Sequence, residues 1–123
     1  MLHVLTLFSV SPEAADPFVD AIRRGGEWHS IARSLMPDLI ATNLLEQQPS
    51  ATPPLLSGSS LLFVCLDFWS SPDAYRRACQ QPACQALFCA RRRMAKNAVE
   101  LGAFCFPEPI DIDSVVRPAV ALA

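Results

Sequence analysis

Three of the chain's five cysteines, Cys79, Cys84 and Cys89, stand at equal intervals of five in CQQPACQALFC. Clustered thiols suggest metal or redox chemistry, but a metal needs ligands that converge on one point. A step of five residues turns a helix by about 140° beyond one full turn. Cys84 is therefore expected to face the core and Cys89 the solvent, while Cys79 lies across the Pro82 break on another helical piece. The stretch reads as packing, and no metal site is expected. An odd number of cysteines without a CxxC pair points to free thiols in a reducing cytoplasm.

The residues that packing does not explain lie elsewhere. In SLLFVCLDFW, Phe63, Cys65, Asp67 and Trp69 alternate onto one face, so a carboxylate sits in an otherwise dry row. Such a group must be paired, hydrogen-bonded or neutralised. Asp67 is a candidate general base, taking a proton from an acidic phenol or an anthrone-like carbon; alternatively it caps the following helix or reaches water. Downstream, at about 100° per residue, Cys84, Leu87, Phe88, Met94, Ala95 and Ala98 gather on one helical face. Arg91 falls near the middle of that face, whereas Arg92 and Arg93 point elsewhere. Arg91 could hold a substrate carboxylate, stabilise an oxyanion or pair with Asp67; the bland alternative is a stem that runs past the core to solvent.

His29 lies beside the apolar centre of its helix and is a candidate acid or base, or a surface histidine. Trp69 and Tyr75 offer a flat wall with a polar tip for an aromatic ligand, or simply core aromatics. His3 is expected at an exposed strand end. Ser57, Ser70 and Ser71 have no neighbouring base pattern that would make a nucleophile.

The elements that must position these groups are marked by clear punctuation. His3 to Val10 is a β-branched and aromatic run ended by Ser11-Pro12, a strand. A helix is expected from about Glu13 to Arg24, with Ala15, Phe18, Val19 and Ile22 inward; Gly25-Gly26 interrupts it, and a second piece runs from Glu27 to Met36 before Pro37. Leu39 to Glu46 is a second strand, followed by the turn-rich QQPSATPPLLSGSS. SLLFVCLDFW is a third strand, apolar on both alternations except at Asp67. Ser71 as N-cap, Pro72 at the first helical position and Asp73 in the first turn open the next helix. Pro82 restarts a longer one to about Asn97, and LGAFCF, from Leu101, is a fourth strand.

Strand, broken helix, strand, strand, broken helix, strand is the α+β, ferredoxin-like βαββαβ plan, with a four-stranded antiparallel sheet and helices on one face. Residues 1–106 form this domain and 107–123 a C-terminal arm. One sheet face would remain bare. A chain of 123 residues can build only a modest core, yet 51% of its residues are apolar. Both points favour self-association, a homodimer through the sheet face. A net charge of -2, with Lys96 the single lysine among ten cations, offers no phosphate-binding surface, so no nucleic acid is expected. No apolar run reaches the roughly 18 residues of a membrane helix, and MLHVLTLFSV lacks the positive leader of a secretory signal. A cytoplasmic protein is expected.

The third strand ending in Phe-Trp-Ser-Ser, then Pro-Asp-Ala-Tyr, a short helix, a Gln-Gln-Pro break and a second helix resembles the antibiotic-biosynthesis-monooxygenase-type domain of the dimeric α+β barrel superfamily. GEWHSIARSLMPDLIATNLLEQ is similar to that family's helix, turn and second strand, with Asp38 where the family often has glycine. The likeness spans roughly residues 3 to 106. It implies a homodimeric α+β barrel with a small sheet-to-helix pocket in each protomer. Some members oxidise polycyclic aromatic compounds with molecular oxygen and neither metal nor flavin, using the substrate's own electron-rich carbanion. Another branch degrades haem, but the positions that serve it correspond to Leu7, Ala78 and Phe88, none of which can do that work. The expectation is thus a cofactor-free monooxygenase acting on a small aromatic or polyketide-like compound, with Asp67, His29 and Arg91 catalytic and Trp28, Phe63, Trp69 and Tyr75 around the substrate. A non-catalytic dimeric module that binds a small apolar metabolite is the alternative.

Overall fold

The computed structural model describes residues 1–48 and 60–105. Strand β1 (Leu2–Val10) is followed by helices α1 (Pro12–Ile22) and α2 (Glu27–Leu35), strands β2 (Leu39–Glu46) and β3 (Leu61–Trp69), helices α3 (Pro72–Cys79) and α4 (Pro82–Arg93), and strand β4 (Asn97–Cys105). The strands form one antiparallel sheet in the order β2-β3-β1-β4. This is the ferredoxin-like βαββαβ arrangement, with the helices packed on one face.

The local signals act as their chemistry dictates. The side chain of Ser71 accepts a hydrogen bond from the Ala74 N–H at 3.1 Å, and Pro72 fills the first helical position. At the α1–α2 break, a Cβ on Gly26 would run into the carbonyls of Asp20 and Ala21, so only glycine lets the chain turn there. Trp28 on α2 donates its indole N–H to the Leu87 carbonyl of α4 at 2.8 Å, tying the two helical halves together.

Burial follows the strand alternation. Leu2, Val4, Thr6, Phe8 and Val10 of β1 face the helices, as do Phe63, Cys65, Asp67 and Trp69 of β3. Phe18 of α1 wedges between Phe8 and Phe63, with ring centroids 5.2 and 5.3 Å apart. The opposite sheet face carries Leu5, Leu7, Leu45, Val64, Leu66, Phe68, Val99 and Phe104, with no helix over it among the described residues; Leu45, Val99 and Phe104 are about half exposed.

One boundary differs from the sequence expectation. Helix α4 ends at Arg93 and β4 begins at Asn97, not at Leu101. The Lys96 N–H donates to the Ser9 carbonyl at 2.8 Å, and pairing with β1 then runs from Asn97 opposite Ser9 to Cys105 opposite Leu2. Ala98, counted on the helical face, instead packs from β4 opposite Phe8. An alanine that is inward in either conformation cannot tell helix from strand by periodicity; the waiting hydrogen bonds of β1 decide it. The arm at 107–123 and Ser57 in the β2–β3 connection lie outside the described residues.

Candidate active site

Asp67 and Arg91 meet in the interior. Asp67 reaches the helix side from β3, near the strand end, and Arg91 descends from the last turn of α4 onto the same point. Their contact is bidentate: Nη1 donates to Oδ1 at 3.0 Å and Nη2 to Oδ2 at 2.8 Å. Thr42 of β2, opposite Asp67 in the register, adds a third hydrogen bond from Oγ1 to Oδ1 at 2.9 Å. Both residues are almost sealed, at 1% and 3% exposure. The guanidinium is also ringed by aromatic faces, with its central carbon 4.5 Å from the Trp28 ring centroid, 5.3 Å from Phe88 and 5.5 Å from Phe8.

The electrostatic consequence is a locked pair in which Arg91 keeps its charge. Burial pulls the Arg91 pKa down, but the adjacent Asp67 carboxylate outweighs it and the net shift is upward, so Arg91 remains a cation. Neutral Cys65, buried beside the pair, shows the effect of the dry surroundings. Burial pushes its thiol up to about 12, opposed by Arg91 and aided by Asp67. Two buried donors are left over. The buried Nε–H of Arg91 meets no acceptor among the described residues, and neither does the Trp69 indole N–H.

A cavity of about 180 Å³ opens beside the pair, between β1, β4 and helices α3 and α4. Asp67 and Arg91 form part of its wall, with Val4, Phe88, Tyr75 and Glu100 around them. Its size suits one aromatic ring, since an apolar cavity of roughly 150 Å³ accepts benzene; its open side leaves room for more of a larger molecule. Tyr75 is held at the wall by a 5.3 Å contact with the Trp69 ring and by donating its hydroxyl to Glu100 Oε1 at 3.0 Å. Burial, and then neighbouring Cys79 and Glu100, push the phenol well above its ordinary value, so it stays a neutral donor.

The other expected site residues are distributed differently. Trp28 and Phe63 are core residues that do not line this cavity, and Trp69 supports Tyr75 from behind. His29 lines a separate cleft with Arg24, Arg33 and Asn43, where its Nδ1 accepts the Gly25 N–H at 3.2 Å. The structure therefore joins Asp67, Arg91 and Tyr75 and leaves His29 apart. Glu100 was not singled out by sequence. Its position precedes the strand expected from Leu101, and only the irregular register of β4 brings it, still exposed, into the cavity lining. Cys79, Cys84 and Cys89 diverge as their spacing implies, with Cys84 buried and Cys79 and Cys89 exposed. No cluster of metal-ligating side chains occurs among the described residues.

Solved structures share this architecture at low sequence identity. A Deinococcus radiodurans protein whose name places it among antibiotic biosynthesis monooxygenases is 16% identical, with a TM-score of 0.58, covering 91% of this chain and 98% of that one. SnoaB, a cofactor-independent oxygenase from Streptomyces nogalater, is 16% identical with a TM-score of 0.54, over 89% and 94% of the two chains. At3g17210 from Arabidopsis thaliana is 13% identical with a TM-score of 0.60, over 91% and 100%. No family model matches the sequence, and no curated protein does. What is shared is the fold, the ferredoxin-like architecture.

Proposed function

We propose that the protein is a cofactor-independent oxygenase acting on a small phenolic or anthrone-like compound, bound in the cavity beside Asp67 and Arg91. The observation that carries this reading is a cavity of ring size with a fixed cation in its wall. Oxygenation without a cofactor requires the substrate to become an electron-rich anion. A buried arginine whose charge cannot be lost stabilises that anion without reorganising. Asp67, with both oxygens occupied, holds Arg91 in place. The anion then gives electrons to dioxygen, a carbon–oxygen bond forms, and the peroxide collapses with one oxygen atom kept by the product and the other leaving as water. The oxygenase name of a protein with the same fold supports this reading.

The bare apolar sheet face supports a homodimer, formed as two such faces pack together. Oxygen uptake with a panel of hydroquinones and anthrones tests the activity. Wild-type protein should exceed the spontaneous rate, and Cys79→Trp, which fills the cavity from its exposed rim, should lose at least tenfold of that excess. Substrates that bind while no oxygen is consumed would instead establish the non-catalytic binding module.

A further inference from the structure

The cavity holds a second carboxylate that differs from Asp67 in every respect relevant to proton transfer. Its position depends on an irregularity in β4. From Cys105 to Gly102 the strand keeps regular register with β1, Ala103 facing Val4 and Gly102 facing Leu5; the next pair is Thr6 with Glu100, so Leu101 is an extra residue. Continued alternation from Ala103 would bring Leu101 to the helix side and leave Glu100 on the bare face. The bulge reverses this. Glu100 stands opposite the buried Thr6 and lines the cavity, while Leu101 is turned out and half exposed. Gly102 permits the kink with a φ of 147°, a backbone that other residues rarely adopt. A bulge thus exchanges an apolar side chain for an acid in a cavity wall, which core packing alone would not favour.

The inward carboxylate is also oriented. Tyr75 donates its hydroxyl to Glu100 Oε1 at 3.0 Å across the cavity from α3, and Oε2 has no hydrogen-bond partner among the described residues. The raised pKa of Tyr75 keeps that hydroxyl a donor rather than a competing base. Asp67, by contrast, has both oxygens taken by Arg91 and Thr42 and is sealed from water. A proton accepted there would break the bidentate pair and leave Arg91 buried without its counter-charge. Glu100 is solvent-exposed, so a proton it accepts can pass on to water.

We propose that Glu100 is the catalytic base of this cavity, with Tyr75 as its positioning residue. The substrate class is an aromatic carbon or oxygen acid: the C–H or O–H bond breaks, its proton goes to Glu100 Oε2, and its electron pair stays on the ring system. The cation at Arg91 lies in the wall of the same cavity. This inference rests on the oxygenase reading for its substrate but not for its chemistry, since proton removal needs no oxygen.

Anaerobic exchange of the acidic methylene protons of anthrone into deuterated solvent, followed by proton NMR, tests it. Wild-type protein should exchange them faster than buffer alone. Glu100→Gln, isosteric and exposed, should lose tenfold or more of that excess, with unchanged anthrone binding by fluorescence titration and unchanged melting temperature. Tyr75→Phe should lower the turnover rate by a few-fold with little change in KM, because the base remains but is no longer held. Full exchange by Glu100→Gln, or no wild-type exchange above buffer, overturns the proposal. Exchange that depends on Glu100 without any oxygen uptake would uphold the base and refute the oxygenase reading; oxygen uptake that survives in Glu100→Gln would do the reverse.

Discussion

At the scale of single residues, the molecule gives two acids opposite tasks. Asp67 is immobilised to fix a charge, and Glu100 is exposed and held by one hydrogen bond. Breaking a buried pair strands the remaining charge, so Arg91→Ala should destabilise the protein by about 3–5 kcal/mol. Arg91→Lys should recover only part of this, since an ammonium cannot reproduce the two-point contact. Urea unfolding measures both, and a loss under about 1 kcal/mol for Arg91→Ala would show that the pair does not organise the interior. The thiols give a second check. Burial raises Cys65 to about 12, and it raises Cys84 as well. Both should resist alkylation in the native protein, while exposed Cys79 and Cys89 react. The sign of the pH effect follows from linkage. Above the ordinary thiol value of 9.0 the unfolded chain loses the Cys65 proton and the folded one keeps it, so stability should fall as pH rises from there toward about 12. Stability that is flat over that range, or rises, would contradict the buried neutral thiol.

At the scale of elements, the fold was legible because its signals are local. Ser71-Pro72, Gly25-Gly26 and Pro82 mark helix ends by chemistry that does not depend on the rest of the chain. The two-sided apolar run of β3 marked a strand with both faces in demand. The anomalies Asp67 and Arg91 were also legible, because a charge at an apolar position stands out against either period. What could not be read was anything set by pairing. Whether 97–100 is helix or strand depends on β1, far away in sequence, and the bulge that turns Glu100 inward exists only in the β1–β4 register. His29 shows the same limit from the other side: its helical position was clear, but which cavity α2 would turn it toward was not. The bulge carries its own prediction. A Cβ on Gly102 would stand 3.0 Å from the Phe104 ring on a strained backbone, so Gly102→Ala should cost about 1–2 kcal/mol and weaken any activity that needs Glu100 inward. Thermal unfolding of the variant beside its turnover rate measures both effects; a variant with wild-type stability and turnover would show that the bulge positions nothing.

At the scale of the whole molecule, the described residues cover the sheet on one side only. Helices cover Phe8, Phe63 and Trp69, while Leu5, Leu7, Val64, Leu66 and Phe68 form an apolar surface on the reverse. A domain of this size gains much of its margin by covering such a face. A homodimer in solution is the expected outcome, and Leu66→Asp should convert it to monomer while the cavity on the opposite face persists. Sedimentation velocity on the two proteins decides this, and a wild-type monomer would require another occupant for the face. The oxygenase reading is tested most directly by turnover of anthrone under ¹⁸O₂, with the product analysed by mass spectrometry. One labelled oxygen atom per product molecule is expected, formed well above the protein-free rate and suppressed in Cys79→Trp. Labelled product formed no faster than without protein, despite anthrone binding, would contradict it.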